Sequence, residues 1–560
     1  MALSTVEQIY QCIDERESFI LDAGAGSGKT WSLIESLKYI LDKESDSLIR
    51  NNQKIVCITY TNVAKNEIIG RLEHNELVMV STIHDFLWSC ISQFKKELKA
   101  KFVESIDEKI VKIQSELDKS KSKKGVTYEK NLEKKEKLIN DKDELINSDK
   151  KTQYKNSFSY KNNIISHDEV IDLSIRIFSS YEMIKKLIVD TYPIIFIDEY
   201  QDTFPKVINI LLDYLLPTKS ILLGFFGDKM QKIYDTGIGE IPTSYNLKQI
   251  TKSENYRCSA SVINILNKIR DDIKQVPSGE NKNVEGSCSF YPKDKDGFKL
   301  NDFIENELKN KIGIDDDKSN VKVLYLTHRL IAKENSYEEL YELVNSAGKA
   351  DALTKKDEDK CPFIKFLYQV EELNSLCQNN QVQTLLKKSS FEINSFKDKT
   401  HLKNLLMRLH LMREKNNIEE IYNYAIQNNL LQKSQQIIDF DLVDIDNKAY
   451  CDALMQIEYN QIIQANKVVE EHTPFSTKHG TKGAEYDNVL VVIDDDAWRN
   501  YSFDKYFSCD TTNESIYNRT KNLFYVVCSR AKINLVVLAL SPLTQTSQQE
   551  IEQLFGGSYI

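Results

Sequence analysis

The stretch "SFILDAGAGSGKT", residues 18–30, constrains this chain more than any other. An apolar run leads into Ala23, Gly24, Ala25, Gly26, Ser27 and Gly28, and a helical pattern opens at Lys29 and Thr30. Strand, glycine-rich turn and helix in that order make a phosphate cradle. The glycines let backbone N–H groups turn inward, and the helix N-terminus adds its dipole. Lys29 neutralises β and γ phosphates, while the Thr30 hydroxyl is a Mg²⁺ ligand. The strict pattern has glycine where Ala23 stands. The loop is read as a site for a nucleoside triphosphate with Mg²⁺.

Further short apolar runs follow: "KIVCITY" (54–60), "PIIFIDE" (193–199), "SILLGFFGD" (220–228), "VKVLYLT" (321–327), "NVLVVID" (488–494) and "INLVVLAL" (533–540). Continuous apolar runs that alternate with helical segments predict buried parallel strands in α/β layers. Two segments break the rhythm. Residues 91–160 are rich in Lys and Glu with apolar residues at helical spacing, which predicts a pair of long helices turning near Gly125. Residues 336–470 are polar and helical again. At 560 residues the chain is too long for one ordinary core. The predicted order is a first α/β domain over 1–90 and 161–258, interrupted by a helical insertion at 91–160. A second α/β domain then runs over 259–335 and 471–560, interrupted by a helical insertion at 336–470.

Charge and cysteine content narrow the classes. A formal net charge of −10 means that any nucleic acid must bind a local basic groove, since the whole-molecule field repels it. The 10 cysteines are scattered with no CxxC pair, so they predict no zinc or iron–sulfur site and read as reduced, mostly buried thiols. The N-terminus lacks the basic and apolar regions of a signal peptide, and no apolar run reaches the ~20 residues that cross a bilayer. A cytoplasmic protein is expected.

In "IIFIDEYQD" an apolar strand delivers Asp198 to its carboxyl end as a Mg²⁺ ligand. Glu199 follows, placed to orient or deprotonate water. On its own such an acidic pair is equally a solvated strand tip. With the upstream cradle it argues for hydrolysis over phosphoryl transfer to another substrate, which would have to exclude water.

The motifs then fall in a recognisable order. "TYTNVAKNEIIGRL" (59–72), "STIHDFLW" (81–88), "DEYQD" (198–202), "GDKMQKIYDTG" (227–237), "ENYRCSASVINIL" (254–266), "STKHGTKGAEYDNV" (476–489) and "NLFYVVCSRAK" (522–532) span nearly the whole chain. The set resembles the UvrD/Rep branch of superfamily 1 DNA helicases. That resemblance implies two RecA-like parallel-sheet domains with ATP in a cleft between them. It also implies 3′-to-5′ translocation on single-stranded DNA and duplex unwinding.

It implies roles residue by residue. Gln8 reads adenine, Tyr256 stacks on it, and Glu485 bonds the ribose, with Gly483 beside it. Gln231 senses the γ-phosphate, and Arg257 and Arg530 reach that phosphate from the second half as arginine fingers. Tyr60, Thr61, Asn62, Thr82, His84, Thr477 and His479 contact the DNA strand, with Tyr60 as a sequence-tolerant stacker. Each has a plainer alternative: a surface ion pair for an arginine, core packing for Tyr256, a satisfied loop histidine for His84 and His479.

Three features depart from the family. Trp31 stands where an arginine usually follows the cradle threonine. Thr236 and Gly237 stand where an aromatic residue and arginine usually follow the sensor motif. The second insertion is short. In its small size, short second insertion and altered sensor motif the chain resembles helicase subunits of bacterial anti-phage systems such as Gabija, whose nuclease is a separate subunit. A DNA-activated regulatory ATPase that signals to a nuclease partner, with little unwinding of its own, is therefore the second reading. An unrelated P-loop kinase or GTPase is the third.

Overall fold

A computed structural model describes residues 3–59, 62–120, 125–148, 150–155, 158–233, 236–294, 298–308, 321–325, 328–354, 360–442, 445–470, 475–477, 484–495 and 501–556. The chain divides into two compact units. One comprises Met1–Cys258 and Leu266–Asn283, the other Ser259–Ile265 and Val284–Ile560. Residues 266–283, assigned to the second domain by the sequence pattern, thus fold with the first unit. The cause is local: Arg270 and Gln275 bond to groups of that unit.

The first unit is built on six parallel strands: β1 (Phe19–Ala23), β2 (Ile55–Thr59), β3 (Val78–Thr82), β4 (Ile194–Asp198), β5 (Leu222–Gly227) and β6 (Lys248–Lys252). They lie in the order β3-β2-β4-β5-β1-β6. β2, β4 and β5 are buried along their whole length, as an apolar run covered on both faces requires. Alternate residues serve the two faces. Phe19, Leu21, Phe196 and Phe226 pack with the helix Lys29–Arg50, while Ile20, Ile58, Ile197 and Phe225 pack on the other side.

The helices Lys95–Lys119 and Val126–Asn147 pair with each other, with Gly125 directly before the second. Phe102 and Ile106 of the first are buried in the same core as Ile58 and Ile197.

The second unit holds five parallel strands: β7 (Ser287–Pro292), β8 (Val321–Tyr325), β9 (Phe475–Thr477), β10 (Tyr486–Ile493) and β11 (Ala531–Ala539), in the order β7-β11-β10-β8-β9. Between β8 and β9 the described chain is helical, with Pro362–Gln378 and Phe396–Met412 its longest elements. Both units are α/β with parallel sheets. All ten cysteines are free thiols, and Cys509 is the exposed one. Among the described residues no helix is long and apolar enough to cross a membrane.

Candidate active site

Sheet order creates the site. β1 and β4 both pair with β5, with Asp22 opposite Gly227 and Asp198 opposite Phe226. Loops that leave the carboxyl ends of these three adjacent strands therefore converge, as ligand loops do in open parallel sheets. They carry Gly24–Gly28, Asp198–Asp202 and Asp228–Gln231. Tyr200 ties two of them together by donating to Asp22 Oδ1 at 2.6 Å. Burial pushes the Asp22 carboxyl up from its ordinary range, and the Tyr200 bond works against it.

The cradle has the expected conformation. Gly26 and Gly28 sit at φ 74° and 76°, the left-handed region that glycine adopts without a Cβ penalty. Gly28 caps the helix Lys29–Arg50. Lys29 is buried at the start of that helix, and Thr30 is its second residue, half-buried. Ser27 Oγ is buried and, among the described residues, has no hydrogen-bond partner. An orphaned hydroxyl at a glycine-rich helix start suits a phosphate ligand. Among the described residues no group of three His, Cys, Asp or Glu could hold a metal. Thr30 and Asp198 would hold a Mg²⁺ together with phosphate oxygens and water.

The segment Asn255–Cys258 is clamped onto the cradle. Asn255 Nδ2 donates to the Ala25 carbonyl at 3.0 Å, and Tyr256 N donates to the Gly26 carbonyl at 2.9 Å. Asn255 Oδ1 in turn accepts from Arg257 N and Cys258 N, both at 2.9 Å. Gln275 Nε2 donates to the same Ala25 carbonyl at 2.8 Å. Arg257 therefore belongs to the unit that carries the cradle, which corrects the expectation that it reaches in from the second half. Tyr256 is 49% exposed. Trp31, equally exposed, shares with it the Lys252 ammonium, at 5.2 Å from the Trp31 ring and 5.8 Å from the Tyr256 ring. Lys252 is buried and donates to Ser32 Oγ at 2.7 Å; burial pulls its pKa down. Gln8, on the capped helix Thr5–Glu15, donates to the Leu3 carbonyl at 3.2 Å.

Asp198 is buried at the tip of β4, and Glu199 adopts φ 53°, ψ 48°, a strained left-handed turn for a residue with a side chain. That turn separates the two carboxylates. Asp198 Oδ1 accepts from Glu199 N at 3.1 Å, and Glu199 Oε2 accepts from Gln201 Nε2. Gln201 Oε1 accepts from Asp228 N at 3.1 Å, and Asp228 Oδ2 accepts from Gln231 Nε2 at 2.9 Å. One run of side chains thus joins Glu199 to Gln231.

In the second unit Arg530 is buried. It donates from Nε to the Val526 carbonyl at 3.0 Å, and from its terminal nitrogens to Ala484 O at 3.3 Å and Ser529 Oγ at 3.0 Å. Glu485 lies directly before β10, where Tyr486 N bonds the Arg530 carbonyl at 3.0 Å. Gly483 lies outside the described residues.

Of the predicted DNA contacts, Tyr60, Thr61 and His479 lie outside the described residues, Asn62 starts the helix Asn62–Arg71, and Thr477 ends β9. Thr82 caps the helix Ile83–Ile91, its Oγ1 accepting from Asp85 N at 3.4 Å and donating to Asp85 Oδ2 at 2.9 Å. His84 packs its ring 4.7 Å from that of His167, and burial pulls its pKa below the usual imidazole range.

Asn255, Gln201, Asp228 and Gln275 organise this centre, as does the fully buried Arg270, and sequence reasoning named none of them as functional. Three of them stand inside the quoted motifs, where a polar residue beside the catalytic one was the available signal. For Gln275 and Arg270 no local pattern exists.

The model for the UvrD/REP helicase N-terminal domain matches residues 5–249. The chain is 30% identical to a Gabija protein GajB of Bacillus cereus, over 99% of this chain and 97% of that protein. It is 25% identical to the GajB of a second Bacillus cereus strain, over 94% of each. To the ATP-dependent DNA helicase PcrA of Staphylococcus epidermidis it is 25% identical over 46% of this chain and 39% of that protein. The agreement over full length with the first, together with the helicase domain matched over residues 5–249, carries the assignment. The chain belongs to the UvrD-like family of ATP-hydrolysing DNA helicases, in its Gabija GajB group.

Proposed function

We propose that this chain is a motor that hydrolyses ATP with Mg²⁺ to move 3′ to 5′ along single-stranded DNA, and that its unaided strand separation is weak. The observation that supports it best is the run Glu199–Gln201–Asp228–Gln231 beside the glycine-rich turn. It ties Glu199 and Gln231 to one frame, which supports a reading in which loss of the γ-phosphate at Gln231 is felt at the carboxylate that activates water. Lys29 neutralises phosphate charge, Thr30 and Asp198 hold Mg²⁺, and Glu199 accepts the proton of the attacking water. Arg257 and Arg530 act on transition-state charge. Tyr256 stacks the base, Gln8 reads it, and Gly483 and Glu485 bound the ribose. Tyr60, Thr61, Asn62, Thr82, His84, Thr477 and His479 form the DNA track.

One observation favours a second reading, in which the chain is the regulatory ATPase of a defence complex and signals to a separate nuclease subunit. Gly237, where the family usually has arginine, is closed to any side chain by close backbone packing, and an exposed Thr236 stands where the family usually has its aromatic ring. The full-length similarity to Gabija GajB proteins points the same way. Parallel assays of ATP turnover and unwinding on 3′-tailed and 5′-tailed duplexes, with the chain alone, test both. Turnover that rises with single-stranded DNA while strands stay paired supports the regulatory reading. Unwinding confined to 3′ tails supports the motor, and unwinding from 5′ tails contradicts its direction.

A further inference from the structure

Arg270 has no place in the motifs, yet it is one of the largest fully buried side chains of the protein. It follows the helix Ala260–Ile269 and directs its guanidinium at two carboxylates. Nε and one terminal nitrogen grip Asp272 at 2.8 and 3.1 Å, and the other terminal nitrogen meets Asp228 Oδ2 at 3.3 Å. Asp228 is itself fully buried. The oxygen that Arg270 meets is the one that accepts from Gln231 Nε2. The other oxygen of Asp228 accepts from Met230 N at 3.1 Å, and the Asp228 amide donates to Gln201 Oε1, whose amide nitrogen holds Glu199. Asp228 is thus the shared hub of the sensor glutamine and the catalytic glutamate, and Arg270 is its buried counter-charge.

A carboxylate out of water keeps its charge only when paired. The second grip of Arg270, on Asp272, fixes the angle at which it meets Asp228. Asp272 in turn lies 3.8 Å from Lys229, inside the sensor loop.

We propose that Arg270 is a positioning residue of the hydrolytic centre: by holding the Asp228 carboxylate in place, it sets the Gln231 amide and, through Gln201, the Glu199 carboxylate. It touches no substrate. Misplacement rather than lost binding is the defect its removal should cause. This rests on the reading of Glu199 and Gln231 given above.

The test is a kinetic cycle on the full chain with single-stranded DNA present. R270M should lower kcat by about 10- to 100-fold, the scale of a small geometric misplacement. Affinity for a fluorescent ATP analogue should stay at the wild-type value. R270K, which keeps the charge without the fork, should recover part of the loss. In a Q231A background R270M should cost less than in the wild type, because part of its effect passes through Gln231 and only the route through Gln201 to Glu199 remains. A wild-type kcat in R270M, or a full multiplicative loss in the Q231A background, would overturn the proposal. Should R270M not fold, Asp272→Asn is read in the same cycle, with a smaller kcat loss that is again not additive with Q231A; additivity overturns it equally. A wild-type chain that hydrolyses no ATP would sink the functional reading itself, whereas an active wild type indifferent to Arg270 sinks only this inference.

Discussion

A Cβ on Gly237 would lie 2.4 Å from the Gln201 carbonyl oxygen, so the backbone that follows the sensor loop is pressed onto the backbone that follows Glu199. Two bonds hold it there: Ile238 N to Thr203 O at 2.8 Å and Gly239 N to Gln201 O at 2.9 Å. The family's arginine is therefore excluded at this position by packing. Gly237→Arg should cost about 1–3 kcal/mol of stability or more, as overpacking does. Thr236 is exposed, and Thr236→Trp should fold normally. If a missing ring is what weakens the grip, that variant should unwind a 3′-tailed duplex better than the wild type at equal ATP turnover. Thermal melts and a strand-separation assay check both halves.

Lys29→Ala should abolish hydrolysis, because the β and γ phosphate charge loses its buried ammonium. Steady-state phosphate release measures it, and unchanged release would remove the glycine-rich turn from the reaction.

Glu199 and Asp198 should separate by role. Glu199→Gln should slow turnover by about 10²- to 10⁴-fold with nucleotide affinity kept, since an amide cannot take the water's proton. Asp198→Ala should weaken Mg²⁺-dependent nucleotide binding itself. Equal loss of affinity in the two variants would contradict the division.

Arg530→Ala and Arg257→Ala differ in structural surroundings. If each is an arginine finger, kcat should fall by about 10³-fold or more with little change in affinity. Arg257 N is also bonded to Asn255, so side-chain truncation leaves that backbone bond and the clamp on Ala25 in place. Wild-type turnover in both variants would rule out the finger role.

His84 supplies a pH test. Burial first, and His167 second, hold its folded pKa below the unfolded value. The unfolded chain then binds the proton more readily, so stability rises with pH across the window from the folded pKa to about 6.5 and is lost as the pH falls through it. Melting temperatures of wild type and His84→Gln between pH 5 and 8 should converge at high pH, with the wild type falling more steeply below about 6.5.

How much of this was legible in the sequence follows from chain distance. β1, β4 and β5 announce themselves as continuous apolar runs, and the glycines, Lys29, Asp198 and Glu199 follow at fixed offsets from the strand ends, so local pattern finds them. Gln275 meets Ala25 across 250 residues and Arg270 meets Asp228 across 42, and only the folded sheet order brings either pair together. The same contacts draw residues 266–283 into the first unit, which no composition shift marks. Thr82 carries two local patterns at once. Its place before an apolar helix is also that of an N-cap, and the structure uses its hydroxyl as one.

ATP turnover by the isolated chain, titrated with single-stranded DNA at two salt concentrations, tests the central claim most directly. The account predicts low basal turnover that rises severalfold with DNA, with a DNA requirement that shifts upward at higher salt as phosphate contacts release counterions. Turnover that ignores DNA at both salts, with Lys29→Ala inactive, would make this an ATPase driven by something other than a DNA strand.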